Sequence, residues 1–297
     1  MEREEIHYPV MHREVINFLE PALRKIIVDC TVGVGSCALR ILPFLKEDSL
    51  YVGIDKDSNS LEIAKDRLLK YKQVILIKDD FKNLDNILKN LKINSVDGFL
   101  FDLGISSFQL DNPDRGFSFL RNGPLDMRMD RDTFLSAYDL VNNLSEIELA
   151  SIFKKFGEER YSNCIAHNIV EERKKNPINT TSDLSSIILK SIPYKARYSN
   201  IHPATRVFLA LRIVANRELE SLELGLKKAV NFLKTGGRIL VISFHSLEDR
   251  IVKHTFKYFQ KEGKIKIITK KPILPQEDEV IENPRSRSAK LRVIEKL

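Results

Sequence analysis

The sequence predicts a doubly wound α/β sheet interrupted once by an all-helical insertion. Short apolar runs alternate with helix-like periodicity over the first hundred residues. The pattern breaks from Ile105 to Asp130, a segment rich in Gly, Pro, Asp and Arg and too long for a simple connection. Strand-like runs resume beyond Gly236-Gly237. Strands alternating with helices call for a parallel sheet covered on both faces, because each crossover carries the chain back over the sheet.

Taken in order, Ile26-Ile27-Val28 is an apolar run ending at Asp29 and a glycine loop, which reads as a buried strand. Leu50 to Ile54 is the second strand and ends at Asp55. Leu61, Ala64, Leu68 and Tyr71 then recur at helical spacing. Val74 to Ile77 is the third strand, followed by a helix marked by Leu84, Ile87, Leu88 and Leu91. Val96 to Leu103 is the fourth, ending in Asp102-Leu103-Gly104.

Residues 131–200 read as several short helices. Ser145 and Glu148 have the spacing of a capping box ahead of Ile147, Leu149, Ile152, Phe153 and Phe156. One long helix from Ala204 to Leu233 is expected to stop before Gly236-Gly237. Arg238 to Ser243 is a fifth strand, and Ser246-Leu247-Glu248-Asp249 can cap the helix after it. Ile265 to Ile268 and Leu291 to Ile294 supply the sixth and seventh strands. The expected organisation is a sheet domain of residues 1–130 and 201–297, with 131–200 as a helical subdomain suited to substrate recognition.

Composition bounds the class. With 297 residues, 43% hydrophobic and 30% charged, the chain can bury a large core without disulfides. Cys30, Cys37 and Cys164 are odd in number and lack zinc-ligand spacing, so no metal is expected. The charged start Met1-Glu2-Arg3-Glu4-Glu5 lacks the apolar stretch of a signal peptide, and no run approaches the ~20 residues of a bilayer span. The expected location is therefore cytoplasmic. The net charge of +7 suits a polyanionic partner.

Open α/β sheets bind ligands beyond the carboxyl ends of their strands. Here the first loop reads Asp29-Cys30-Thr31-Val32-Gly33-Val34-Gly35-Ser36-Cys37-Ala38. Gly33 and Gly35 permit a tight turn and close approach of backbone to a ligand. Asp55 follows Gly35 by 20 residues, where a carboxylate can accept both hydroxyls of a ribose. Asp80-Phe81 adds an acid and an aromatic ring where an adenine can lie. Gly33-x-Gly35-x-x-Ala38 also fits a dinucleotide fingerprint, which leaves an NAD-dependent oxidoreductase as a rival. Asp29 opposes that reading, because a carboxylate is a poor neighbour for pyrophosphate and a good one for an ammonium group, such as the methionine end of S-adenosylmethionine (AdoMet).

The most specific text follows the fourth strand: Phe101-Asp102-Leu103-Gly104-Ile105-Ser106-Ser107-Phe108-Gln109-Leu110-Asp111, then Asp114-Arg115-Gly116-Phe117-Ser118-Phe119 and Gly123-Pro124-Leu125-Asp126-Met127-Arg128-Met129. Later come His202-Pro203-Ala204-Thr205-Arg206, Ser243-Phe244-His245-Ser246-Leu247-Glu248-Asp249-Arg250 and Asn283-Pro284-Arg285-Ser286-Arg287. These strings resemble the bacterial RsmH (MraW) family, the 16S ribosomal RNA cytosine-N4 methyltransferases, from His7-Tyr8-Pro9-Val10 almost to the C-terminus. The resemblance implies a class I AdoMet-dependent methyltransferase fold with an inserted helical domain. It also implies methylation of the exocyclic amine of one cytidine in the decoding region, within the small ribosomal subunit. Carried over by motif position, the AdoMet contacts fall at Gly35, Ser36, Cys37, Asp55, Phe81, Asp102 and Gln109. The family's first loop reads Gly-Gly-His where this chain has Gly35-Ser36-Cys37, so no imidazole role transfers.

For the chemistry, Asp102 is the first candidate proton acceptor, with cofactor anchoring as its alternative role. His245, just beyond the fifth strand, is the second catalytic candidate. Arg115, Arg128, Arg206, Arg212, Arg217, Arg285 and Arg287 are candidate RNA contacts; Arg206 and Arg217, eleven residues apart, would share one helix face. Phe108, Phe117 or Phe119 can stack on an extruded base. Besides the oxidoreductase, two rivals stay open: a methyltransferase acting on a small molecule or another RNA site, and a non-catalytic RNA-binding assembly factor.

Overall fold

The computed structural model describes residues 9–197 and 201–297. Met1–Glu5, and His7 and Tyr8 of the N-terminal motif, lie outside the described residues. Seven strands form one sheet: β1 Ile26–Asp29, β2 Leu50–Asp55, β3 Val74–Lys78, β4 Val96–Asp102, β5 Leu233–Ser243, β6 Ile265–Ile267 and β7 Lys290–Lys296. Their order is β3-β2-β1-β4-β5-β7-β6. The first five are parallel, β7 runs antiparallel to β5, and β6 antiparallel to β7.

The helices, in chain order, are α1 His12–Leu19, α2 Ser36–Ile41, α3 Ser58–Leu68, α4 Leu84–Asn90, α5 Ser107–Asp111, α6 Ala137–Asn143 and α7 Glu146–Gly157. They continue with α8 Ser162–Arg173, α9 Thr181–Ser191, α10 Tyr194–Arg197, α11 Ala204–Asn216, α12 Glu218–Phe232, α13 Ser246–Lys261 and α14 Glu277–Glu282. The chain divides into two units, Met1–Ser106 with Leu219–Leu297, and Ser107–Glu218. These boundaries differ from the expected 131–200. Both the Gly/Pro-rich segment and α11 belong with the helices, because their side chains are packed there.

In the sheet unit, alternation along each strand builds two cores. Val28, Val52, Phe99, Phe101, Ile239 and Val241 face one side, where they meet Leu226 and Val230 of α12 and Val252 and Phe256 of α13. Ile27, Tyr51, Leu100, Leu240 and Ile242 face the other, against Val15 and Leu19 of α1, Ile41 of α2 and Leu61 and Leu68 of α3. The stretches Ile26-Ile27-Val28, Phe99-Leu100-Phe101 and Ile239-Leu240-Val241-Ile242 are continuous apolar runs because both faces of the sheet are covered there.

Two local expectations change. Gly236 and Gly237 do not precede β5 but sit inside it. Val96 pairs with Leu233 and Gly98 with Arg238, so β5 holds extra residues opposite β4. Gly236 takes φ 74, and a Cβ on Gly237 would lie 2.7 Å from the Lys234 carbonyl oxygen, so glycine is required for this bulge. The single helix expected from Ala204 to Leu233 is broken at Arg217, which takes φ 50. Asn216 ends α11 by donating to the Met127 carbonyl and accepting from the Met129 amide, both at 2.7 Å. Contacts more than eighty residues away in sequence thus decide where this helix stops.

In the helical unit, Leu149 and Phe153 of α7, Ile165 and Ile169 of α8, Leu184 and Ile188 of α9, and Val207 and Leu211 of α11 are fully buried. Capping boxes start α6 at Ser136, α7 at Ser145 as its spacing foretold, and α9 at Thr180. The segment after Ile105 is a built structure. Arg115 is 1% exposed and donates through Nη2 to the carbonyls of Arg128 (3.0 Å) and Met129 (2.9 Å). Gly116 beside it takes φ 68, and a Cβ there would come within 2.1 Å of the Pro124 oxygen. Arg115→Ala would leave two carbonyls without their charged donor. It is expected to destabilise the protein by about 2–4 kcal/mol in chemical denaturation, with RNA affinity and its salt dependence unchanged in the surviving folded fraction. A phosphate-binding arginine would give the opposite result.

Candidate active site

The chain runs from β1 outward to β2 and β3, then returns to β4 on the other side of β1. That reversal is a topological switch point, where open sheets leave a crevice at their carboxyl edge. Asp29 ends β1, Asp55 ends β2 and Asp102 ends β4, so three carboxylates stand on that edge.

Each is held differently. Asp29 is 1% exposed; its Oδ2 accepts from the Tyr51 hydroxyl at 2.7 Å and its Oδ1 from the Thr31 amide at 3.1 Å. Burial pushes its carboxyl up to about 6, against the lowering effect of those hydrogen bonds. Asp55 accepts from the Gly33 amide at 2.8 Å and the Asp57 amide at 2.9 Å. It too is raised by burial to about 6. Asp102 is positioned by its own amide, which donates to Thr31 Oγ1 at 2.7 Å. Its Oδ1 is inaccessible and has no hydrogen-bond partner. Burial, then the neighbouring charges of Asp29, Glu248 and Glu279, lift its carboxyl to about 8. Burial thus desolvates all three acids, and at Asp102 Oδ1 no donor offsets that cost.

The first loop is shaped for close approach. Gly33 takes φ 53 and Gly35 φ 79, the latter just ahead of α2. Ser36 therefore needs no special backbone, since it is the first helical residue and Gly35 takes the left-handed conformation. Its hydroxyl accepts from Arg67 Nη1 at 3.0 Å, and the same nitrogen holds the Val34 carbonyl at 2.9 Å. Cys37 is partly buried, and burial together with Asp29 and Asp102 pushes its thiol well up, so it stays neutral. Phe81 stands after β3, edge-on to Phe101 at 5.5 Å between ring centroids. A Cβ on Gly225 would lie 2.6 Å from its ring, so a glycine in α12 makes room for it. Asp80 is occupied internally, accepting from Ser221 Oγ at 2.8 Å. Gln109 is in α5 of the helical unit, 5% exposed.

His245 follows β5 and itself caps α13, displacing Ser246 from that expected role. Its Nδ1 accepts from the Glu248 amide at 3.5 Å, and its Nε2 lies 3.2 Å from Glu248 Oε1. Glu248 Oε2 in turn accepts from the Phe244 amide at 2.8 Å. Asp249, the other expected cap, is paired with Arg292 at 2.6 Å.

The arginines separate into two groups. Arg115 is buried, Arg128 is locked to Asp126 (Nε to Oδ1 2.7 Å), and Arg212 is forked onto Glu218 with two contacts of 2.9 Å. Burial takes Arg115 out of solvent, and Arg128 and Arg212 spend their forks on internal carboxylates, so all three stabilise the helical unit. Arg206, Arg217, Arg285 and Arg287 are exposed. Arg206 and Arg217 do not share a helix face, since Arg217 lies past the end of α11. Phe117, 6% exposed, is a core residue; Phe119 stacks on His202 at 4.5 Å and 17°. Sequence reading missed Tyr51 and Thr31, which orient Asp29 and Asp102. Tyr51 reads as one more apolar strand residue, and nothing local signals its hydroxyl contact.

A parallel sheet with its switch point between β1 and β4 and a reversed β7 inserted between β5 and β6 is the class I AdoMet-dependent methyltransferase fold, and the acidic carboxyl edge is where that class takes its methyl donor. Residues 4–297 match the MraW methylase family. A relative from Sulfurihydrogenibium azorense, named ribosomal RNA small subunit methyltransferase H, is 49% identical over 98% of this chain and 99% of its own length. One of the same name from Halothermothrix orenii is 46% identical over 98% of both chains. Another, from Persephonella marina, is 49% identical over 98% of this chain and 99% of its own. The chain belongs to the MraW methylase family.

Proposed function

We propose that this protein methylates the exocyclic N4 amine of one cytidine in the decoding region of 16S ribosomal RNA, using AdoMet. The observation that carries the site is the trio Asp29, Asp55 and Asp102 around the glycine loop, with Asp102 Oδ1 lacking a partner. Family membership and the relatives' names support the ribosomal substrate, and a cytoplasmic site of action on small ribosomal subunits belongs to the same proposal.

When bound, AdoMet supplies an electrophilic sulfonium methyl. Asp29 offers a carboxylate for its ammonium group, Asp55 accepts from ribose hydroxyls with the lone pairs its two amide contacts leave, and Phe81 provides an aromatic face for adenine. Gly33 and Gly35 let backbone approach the donor closely. The cytosine amine is a weak nucleophile because its lone pair is delocalised into the ring. Asp102 accepts a hydrogen bond from that amine, draws the lone pair out of conjugation and takes the departing proton. His245, fixed by buried Glu248, is a contact for the base or its phosphate. Arg206, Arg217, Arg285 and Arg287 pair with RNA phosphates.

Because a cationic ligand pairs with ionised carboxylates, binding must drive protons off groups raised to about 6 and about 8. AdoMet affinity measured by calorimetry is expected to tighten by up to about tenfold per pH unit between pH 6 and 8, levelling above. A flat profile would remove these acids from the ammonium and sulfonium environment. The function itself is tested with tritiated AdoMet and small subunits lacking the modification, followed by nuclease digestion and mass spectrometry. Label on cytidine N4 in the decoding region is the expected result; label on another nucleotide overturns the substrate, and no label overturns the activity.

A further inference from the structure

The net charge of this chain is confined to one edge of the sheet unit. Residues 250–271 carry eight Lys and Arg against Glu262 alone, a local +7, while the other 275 residues hold forty of each sign. Structure turns that stretch into a surface. Lys253, Lys257 and Lys261 recur every four residues on α13, so they line one face at intervals of about 6 Å. Lys266 sits on β6, the outermost strand of the sheet, and Lys270 and Lys271 follow it. All six are exposed.

Among the described residues, Lys257, Lys261, Lys266, Lys270 and Lys271 have no acidic partner within 4.0 Å. Glu295, which faces Lys266 across the ladder, is engaged by Arg238 at 3.0 Å. Tyr258, 56% exposed, stands among the lysines of α13. Lysine on an edge strand deters pairing with other strands, but that does not account for the row on α13.

We infer that the α13–β6 edge is a docking surface for the phosphate backbone of structured RNA, separate from the carboxyl-edge site and resting on the ribosomal reading above. Unpaired lysines in a row neutralise phosphates and release counterions without reading sequence. An anionic membrane is disfavoured by the helix itself: Val252, Phe256 and Phe259, the apolar face an interfacial helix would insert, are buried in the core. The surface therefore adds affinity and orientation to a substrate whose target base is read elsewhere.

The test is the variant Lys257→Gln/Lys261→Gln/Lys266→Gln/Lys270→Gln in the full chain, beside the same four positions changed to Arg. Binding to unmodified small subunits and to a 20-base-pair RNA duplex is measured from 50 to 200 mM salt. The Gln variant is expected to flatten the slope of log affinity against log salt by about two to three and to raise KM for subunits at least about tenfold near 150 mM salt. Its turnover at saturating subunits, AdoMet affinity and melting temperature should match wild type, and the Arg variant should restore the slope. An unchanged slope and KM would overturn the docking surface while leaving the ribosomal reading intact. Loss of binding only to phosphatidylserine vesicles or to polyglutamate would overturn it in favour of a membrane or an acidic protein. Wild-type protein with no affinity for RNA would remove the ribosomal reading and this surface together.

Discussion

Asp102→Asn is expected to lower turnover by roughly 10²- to 10⁴-fold with AdoMet and ribosomal subunits both saturating. The substitution keeps the shape of the side chain and leaves the backbone bond from its amide to Thr31 Oγ1 in place. What it removes is the group that takes the proton. A second readout separates this from a structural effect. In the ligand-free protein the Asp102 carboxyl is lifted to about 8, so between about pH 4 and 8 the folded state binds more protons than the unfolded chain. Its contribution therefore lowers stability as pH rises through that window. The Asn variant should lose this slope and be more stable than wild type at pH 8. Turnover within threefold of wild type would leave Asp102 as a cofactor anchor only, and a matching loss of AdoMet affinity would then be required.

Asp55→Ala should raise the dissociation constant for AdoMet by about 100-fold, equivalent to about 2.7 kcal/mol. Sequence alone assigns this carboxylate only to the hydroxyls of a bound ribose, with no part in the fold. The structure argues otherwise, because its two oxygens hold the amides of Gly33 and Asp57, one shaping the glycine turn and the other leading into α3. Chemical denaturation is expected to show a loss of about 1–3 kcal/mol beside the binding defect. Asp55→Asn, which keeps one acceptor oxygen, should recover part of both. Affinity within twofold of wild type for the Ala variant would take Asp55 out of the cofactor site.

The difference between those two readings of Asp55 marks how much of the site was legible. Strand ends and acid positions can be read locally: an apolar run fixes the strand, and the first polar residue after it falls at the carboxyl edge. Asp29, Asp55 and Asp102 were all found that way. The arginines could not be sorted, because a guanidinium on the surface and one buried under carbonyls look identical in sequence. Arg115 and Arg206 both stand in family-like strings, yet one is 1% exposed and the other is open to solvent. The lysine edge was overlooked for a related reason: Lys257 and Lys266 are nine residues apart in sequence, and nothing local places a helix face and an outer strand on one border.

By itself, the sequence determined the order and limits of most strands, the capping boxes, the glycine loop and the family, since each depends on periodicity or on short strings. Tertiary structure alone decided that the inserted unit reaches from Ser107 to Glu218, that Gly236-Gly237 forms a bulge within β5, and that α11 stops at Asn216. It also decided that Tyr51 and Thr31 orient two of the acids and that Asp102 keeps an unmet oxygen. The physical reason is that a buried polar or backbone group is defined by what it pairs with, and here the pairings that were decisive span 22 to 140 residues along the chain.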